Sequence, residues 1–269
     1  MNPLAAIGRA TLGACESVGS LAMFAARAIA AGVVGPWYPR LILRQMVEIG
    51  FYSLPVVGLT AIFSGMVLAL QSYTGFSRFE AESAIATIVV LSMTRELGPV
   101  LAGLMVAGRV GAAMAAELGT MRVTEQIDAL DSMGANPIHY LVVPRFIACL
   151  SMIPTLTIMA NFMGVSGGYF YSVVILGIDR LHYWQNAAQF VGVWDVFTGV
   201  FKSLFFGATI ALISCHRGFQ CSPGAEGVGR AATSSFVYSF VIILILDLGL
   251  NIILDAVYFA IWSEGTKLL

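Results

Sequence analysis

Five long apolar segments constrain this chain more than any other feature of its sequence. They run roughly from Val47 to Tyr73, Ser83 to Gly119, Arg145 to Ile178, Trp194 to Cys215 and Ser234 to Trp262. Each segment is long enough for the about 20 residues that a helix needs to cross the ~30 Å hydrocarbon layer. Backbone groups in lipid must be hydrogen-bonded internally, which a helix achieves within one segment. The pattern predicts an all-α integral membrane protein, a single domain over residues 1–269 with five transmembrane helices in residues 47–262.

The overall composition agrees with a membrane location. The chain is 58% hydrophobic and only 11% charged, with a mean hydropathy of +0.86, unlike a soluble domain. A net charge of −1 gives no reason to expect nucleic acid, and no GxxxxGK[ST] phosphate loop is present. Cys215, His216 and Cys221 are a weak signal for a metal site. We therefore predict no catalytic residues, metal or cofactor on this chain, and any ATP-driven step needs another one.

The first 36 residues predict a helix of a different kind. Polar residues at spacings of 7, 4 and 7 share one helical face, namely Arg9, Glu16, Ser20 and Arg27. The opposite face is apolar, so we expect this helix to lie in the membrane interface. A cleaved signal peptide is the alternative, because Ala28-Ile29-Ala30 resembles a cleavage site, although Glu16 interrupts the apolar core.

The placement of positive charge predicts the orientation. With a cytoplasmic N-terminus, eight arginines fall on or near the cytoplasmic side, against three cations on the opposite side. Five crossings then place the C-terminus outside the cytoplasm.

Two opposite charges, Arg95 and Glu96, lie inside the second apolar segment, just before Gly98 and Pro99. An ionisable group at bilayer depth costs roughly 2.5–3.5 kcal/mol on insertion scales, so it is normally paired and marks a functional pathway. Pro99 has no N–H to donate to the Arg95 carbonyl, so we predict a hinge at Gly98 and Pro99. Lys202 in the fourth segment lies within roughly 8 Å of Glu96 in depth and can pair with it. These charges either line a functional pathway or only brace the helices.

A polar stripe marks the fifth segment, because Asp247, Asn251 and Asp255 recur every four residues. We expect Asp247 to pair with Arg109 or Arg95. Asp255, nearer the outer end, is expected to reach interfacial water. The candidate cavity and gating residues are Arg95, Glu96, Lys202, Gln71, Leu70, Tyr73, Leu97 and Asp247.

Residues 122–136, between the second and third segments, predict a short helix outside the membrane. Thr124 can cap it, and Gly134 with Pro137 can end it. About ten residues give roughly 15 Å, too short to span a bilayer. Its mixed apolar and acidic surface suits a groove on a partner protein, and a solvated connector is the alternative. The residues of this surface are Glu125, Ile127, Asp128, Leu130, Asp131 and Met133.

Several motifs together resemble the MlaE-type permeases of bacterial ABC lipid transporters. The longest is TRELGPVLAGLMVAGRVGAAMAAELGTMRVTEQIDAL, from Thr94 to Leu130. The likeness continues in GMVLALQ from Gly65, in Pro144-Arg145, in FKSLFF around Lys202 and in GVGRAAT from Gly227. The first thirty-odd residues match only as an amphipathic lead-in.

The resemblance implies a machine of several chains. Two copies of the permease sit side by side in the bacterial inner membrane, and two separate ATP-binding subunits hold ATP and Mg below them. A hexameric MCE-domain protein forms a ring on the periplasmic side, and some complexes add a STAS-domain subunit. Such complexes move phospholipid and maintain the lipid asymmetry of the outer membrane, and residues 122–136 are then the coupling helix that meets the ATPase. The alternatives are an ion-coupled secondary transporter of a hydrophobic substrate and a passive membrane scaffold for an MCE ring.

Overall fold

The computed structural model describes residues 3–77 and 83–262, and the regular elements within those ranges are helices. In chain order they are α1 (Pro3–Val34), α2 (Pro39–Ile49), α3 (Leu54–Phe76), α4 (Ser83–Ser92), α5 (Gly98–Val106), α6 (Ala112–Val123), α7 (Gln126–Ser132), α8 (Val143–Tyr169), α9 (Arg180–Phe190), α10 (Val193–Phe219) and α11 (Ala225–Trp262). Wider π-helical turns occur at Met93–Leu97, Ala107–Gly111, Ile138–Val142 and Phe170–Ile175. The first three of these turns continue directly into an α-helix, so α4, α5 and α6 form one long rod, and the fourth turn follows α8 and ends it.

Within the described ranges, six helical stretches are long and apolar enough to cross a membrane. They are Thr11–Val34, Pro39–Phe76, Ala84–Val123, Ile138–Ile175, Val193–Phe219 and Ala225–Ala260. The last five match the five predicted segments, which confirms the all-α membrane class. Most of them begin several residues earlier than predicted. Hydropathy marks the lipid-embedded part of a helix, and the helix itself begins before that part.

The position of α1 is a separate question. Its length and composition would allow a span, but its contacts gather at one end of the bundle. Ser20 Oγ lies 3.0 Å from Nε2 of His216, and Phe24 packs against both His216 and Phe219 in the last turns of α10. Farther along α1, Ala28 is buried in a cluster at that same end. A spanning helix would move away from that end, so these contacts favour the interfacial placement, which stays a prediction.

Helix α8 forms the centre of the bundle, where it packs against α3, α10, α5 and α2. Its closest approach is to α3, where a side chain at Gly65 would overlap the backbone of Gly164. Gly164 and Gly168 form one of the small-xxx-small pairs in the sequence, the pattern that lets membrane helices meet closely. The buried core extends from this contact through Ile153 and Phe206.

Two elements differ from prediction. Thr124 does not cap α7; it ends α6, and its hydroxyl donates to the Thr120 carbonyl. Glu125 precedes α7 in a left-handed conformation, and α7 is only seven residues long. The sequence analysis also missed α9, which begins after Asp179. Hydrogen bonds from the backbone and ring of His182 lower the pKa of the Asp179 carboxyl, which caps this helix.

Candidate functional site

The predicted hinge is a π-helical turn that carries Arg95 and Glu96. Gly98 N–H donates to the carbonyl of Met93, five residues back, and Pro99 has no N–H for the carbonyl of Arg95. The helix continues beyond the turn as α5, so proline widens the helix here and does not end it. Such turns are frequent at functional sites, since they insert one extra residue and re-aim the side chains that follow.

Two neighbouring helices hold this turn from opposite sides. A side chain at Gly199 of α10 would overlap the carbonyl oxygen of Thr94, so the two backbones are in direct contact. On the other side, Asn161 Nδ2 of α8 donates to the same carbonyl at 3.4 Å. Both residues are buried. The turn is therefore packed into the core by α8 and α10.

Lys202 is the centre of the charged network. Its side chain is 0% exposed, and Nζ donates to Glu96 Oε2, Asp247 Oδ1 and Asn251 Oδ1, each at 2.9 Å. Asn251 Nδ2 also donates to Glu96 Oε2 at 2.9 Å. An ammonium group has three donors, and all three are used. The network joins the π turn, α10 and α11 through one lysine.

Arg95 forms a second, more open part of the network. Its guanidinium pairs with Asp255 of α11 and lies 3.7 Å from Asp195 of α10 and 3.8 Å from Glu96. The Arg95 side chain is 24% exposed and that of Glu96 is 39% exposed. Each of the three guanidinium nitrogens of Arg95 therefore faces a carboxylate.

The geometry shows how these charges brace the helices, and their contact with lipid stays a prediction. In this conformation Lys202 braces three helices and has no N–H left for a ligand. The guanidinium of Arg95 faces the carboxylates of Glu96, Asp195 and Asp255, and its side chain is 24% exposed. Together the network contains two cations and four carboxylates, which are Glu96, Asp195, Asp247 and Asp255.

One predicted ion pair is confirmed, one is corrected, and Asp255 has a partner that was not predicted. Lys202 pairs with Glu96 as predicted. Asp247 pairs with Lys202 and with neither arginine, because Arg109 donates instead to the Glu48 carbonyl at 2.6 Å and to Ser53 Oγ. Asp255 does not only face water, because it pairs with Arg95.

The predicted apolar cavity residues do not gather around these charges as one group. Leu70 and Gln71 are exposed on α3. Tyr73 packs in a separate cluster near the start of α4, and Leu97 packs against the main core. The exposed pair on α3 can face lipid, a second copy or a cavity between copies, whereas Tyr73 and Leu97 stabilise the single chain.

Asn251, Asp195 and Asp255 belong to the network but were not predicted as site residues. Asn251 and Asp255 share the stripe of Asp247, so the four-residue spacing was a signal for all three. Asp195 gave a weaker signal: its carboxylate accepts from Gly192 N–H at 2.8 Å, as part of the α10 cap. From the sequence alone, the capping role is a sufficient explanation for an aspartate at this position.

The coupling residues divide between the chain interior and its surface. Ile127 is 4% exposed and packs with Leu118, Leu141 and Cys215, so the prediction that it enters a partner groove is wrong. Leu130 is half-buried against the same cluster. The other four coupling residues are exposed. Three of them are acidic, namely Glu125, Asp128 and Asp131, and the fourth is the apolar Met133. Asp128 pairs with Arg122, which ties α7 to the end of α6.

The fold and the charged network define a multi-pass helical membrane protein with a polar network among its spans. Comparison with known proteins is more specific. The model of the family Permease MlaE matches residues 42–253, and the chain belongs to this family of ABC transporter permeases.

Relatives from distant organisms support the assignment. A probable ABC transporter permease protein of Rickettsia felis is 51% identical over 245 residues, which cover 91% of this chain and 95% of the relative. The intermembrane phospholipid transport system permease protein MlaE of Haemophilus influenzae is 36% identical over 222 residues, covering 81% and 83%. Protein TRIGALACTOSYLDIACYLGLYCEROL 1, a chloroplastic protein of Arabidopsis thaliana, is 40% identical over 209 residues, covering 78% of this chain and 60% of the relative.

Proposed function

We propose that this permease moves phospholipid between the bacterial inner membrane and a periplasmic MCE carrier, and so helps to maintain the lipid asymmetry of the outer membrane. The observation that carries the proposal is the charged network at bilayer depth. One half of it is a closed brace at Lys202, and the other half exposes Arg95. A lipid has the matching chemistry, with a phosphate for the guanidinium and acyl chains for the apolar helix faces around it.

The mechanism follows from the helices that the network joins. A homodimer encloses a cavity between its two copies, and each copy binds an ATP-binding subunit through α7. ATP and Mg are held by those subunits, so this chain contributes no catalytic residue. When the ATPases close, α7 transmits the movement to α6 and the long rod that carries the π turn. The contacts among this turn, α10 and α11 then change and alter the access of lipid to Arg95.

The remaining partners follow from the resemblance to MlaE-type permeases, and the orientation follows from the charge pattern. A hexameric MCE-domain ring accepts or delivers lipid on the periplasmic side, and a STAS-domain subunit can accompany the ATPase. The N-terminus and α7 are cytoplasmic and the C-terminus is periplasmic, as arginine placement predicts. The acidic surface of α7 favours a basic groove on the ATPase.

The test is reconstitution of the chain with its ATPase and MCE partners in proteoliposomes, with transfer of a fluorescent phospholipid to acceptor vesicles as the readout. Transfer should require ATP hydrolysis. Arg95→Gln removes one charged hydrogen-bond donor, worth about 1.5–3 kcal/mol, so transfer should fall at least about tenfold. The matched control is Arg40→Gln, which removes an exposed arginine on α2 and should leave transfer unchanged.

Two outcomes would overturn the proposal. Transfer that follows an ion gradient and ignores ATP would indicate a secondary transporter. Full transfer by Arg95→Gln together with Glu96→Gln would indicate that the chain is only a scaffold for its partners. Assembly of each variant with the ATPase, measured by size-exclusion chromatography, separates a loss of transport from a loss of the complex.

A further inference from the structure

A small basic cleft lies at the other end of the molecule from the charged network. It is formed where α10 ends and α11 begins, on the same side as α7, and has a volume of about 140 Å³. Two arginines and several hydrogen-bonding side chains line it, including Arg217, Gln220, Cys221, Ser222, Arg230 and Ser234. No carboxylate is among the described residues that line it. A cleft of this size and polarity fits a phosphate group.

The two arginines are available to an anion. Arg217 lies over the ring of Tyr238, with Cζ 4.0 Å from the ring centre. Within the described ranges it has no carboxylate at salt-bridge distance, so its outward N–H groups can donate to another acceptor. Arg230 pairs with Glu226 at 2.6 Å, but both side chains are largely exposed. Such surface pairs are weak and exchange readily for a better-placed anion.

An apolar cleft adjoins the basic one and shares Arg217 with it. Its volume is about 80 Å³, and its walls come from α1, α10 and α11, with Val18, Leu21, Ile213, Tyr238 and Ile242 among the lining residues. α10 and α11 are spans whose ends meet here, so the pair of clefts lies at the boundary between bilayer and water. The basic cleft is thus on the polar side and the apolar cleft on the lipid side.

We propose that these two clefts form a second lipid site, which binds a phospholipid of the leaflet on the α7 side. The phosphate lies between Arg217 and Arg230, and the first part of an acyl chain enters the apolar cleft against Val18 and Leu21 of α1. Basic pockets between membrane helices commonly bind phospholipid headgroups in this way. The site is separate from Arg95 and does not depend on transport. By filling the space between α1 and the spans, the lipid holds α1 against α10 and α11.

Cys221 provides a reporter inside the basic cleft. It is a free thiol with partial exposure, whereas Cys149 and Cys215 are buried. Cys15 is exposed, so Cys15→Ser leaves Cys221 as the accessible thiol among the four cysteines. The measurement is the rate at which iodoacetamide alkylates Cys221 in the full-length chain in detergent, with and without added phosphatidylglycerol. Each variant is compared with its own lipid-free rate.

We expect phosphatidylglycerol at ten times its Kd to slow alkylation by about tenfold. The double variant Arg217→Gln, Arg230→Gln should lose this protection, and Arg40→Gln should keep it. Arg217→Lys keeps the charge but not the planar group stacked on Tyr238, so partial protection is expected. Size-exclusion chromatography confirms that each variant is folded.

Three results with the Cys15→Ser chain alone would overturn the proposal. Equal protection by diacylglycerol, which has no phosphate, would show that the headgroup is not recognised. Equal protection by inorganic phosphate would show an ion site with no lipid in it. Unchanged alkylation with phosphatidylglycerol would show that the cleft is not a lipid site.

Discussion

A fully buried lysine is tolerated in a membrane helix only when its charge and its donors are matched, and Lys202 meets both conditions. Its three acceptors come from two other parts of the chain, Glu96 on the π turn and Asp247 and Asn251 on α11. The pairing compensates for the loss of hydration of the ammonium group. The contribution of this pairing to stability is best measured by replacing Lys202 first and then its carboxylate partners as well.

Lys202→Met should destabilise the chain by up to about 3–5 kcal/mol, because Asp247 and the partly exposed Glu96 lose the buried cation that they share. The measurement is the midpoint of thermal denaturation of the purified chain in detergent. The matched control is the triple variant Lys202→Met, Glu96→Gln, Asp247→Asn, which removes the unpaired charges and should recover most of the loss. A single variant as stable as the unmodified chain would contradict the bracing role.

At the scale of helices, the π turn depends on how closely α10 approaches it. Gly199→Ala should place a methyl group against the Thr94 carbonyl and force α10 away from the turn. Overpacking of this kind costs about 1–3 kcal/mol. Since Lys202 lies one turn farther along α10, its contact with Glu96 should weaken as well.

Gly229→Ala in α11 is the control for this substitution, because a side chain at Gly229 meets nothing within 4 Å. It should be neutral, or stabilising by about 0.5–1 kcal/mol from the better helix propensity of alanine. The measurement is the midpoint of thermal denaturation of each variant, and Gly199→Ala should have the lower one. Equal midpoints would show that α10 does not need the close approach.

The short helix α7 has an inner and an outer side that mutations can separate. Ile127→Ala leaves a cavity in the cluster around Leu118 and should cost about 2–5 kcal/mol. Met133→Asp changes a side chain that is 73% exposed, so stability should stay within about 0.5 kcal/mol. If α7 meets the ATPase, Met133→Asp should reduce the ATPase retained by the tagged permease. Undiminished retention would move the contact away from Met133.

These elements show what the sequence could and could not predict. Apolar length located the five spans, and helical rise placed Lys202 at the depth of Glu96, because both quantities run along the helix axis. The partner of Asp247 depends on rotation about that axis, and the extra residue of a π turn changes this rotation by roughly 100°. The apolar edge of α7 raised a similar difficulty. Periodicity identifies an apolar edge, but it does not say whether that edge packs against the same chain or against a partner. Ile127 packs against its own chain.

At the scale of the whole molecule, the position of α1 decides how the chain is threaded through the membrane. The second half of α1 reaches the end of the bundle that carries α7. If α1 lies along that end, Cys15 and Cys221 are on the same side of the membrane. If α1 crosses the bilayer over Thr11–Val34, its first residues are on the opposite side and Cys15 lies about one turn inside the span at that end. The exposed Cys15 and the partly exposed Cys221 can therefore distinguish the two arrangements.

The experiment uses a membrane-impermeant maleimide on chains that have one accessible cysteine each. The Cys221→Ser variant reports Cys15, and the Cys15→Ser variant reports Cys221. In spheroplasts both should stay unlabelled, and in inverted membrane vesicles both should react, because arginine placement puts this end in the cytoplasm. The opposite side is reported by Leu181→Cys with Cys15 and Cys221 replaced by serine, since Leu181 is 64% exposed on α9. It should react in spheroplasts. Labelling of Cys15 together with Leu181→Cys would instead establish α1 as a sixth span, and the contact between Ser20 and His216 could not then form.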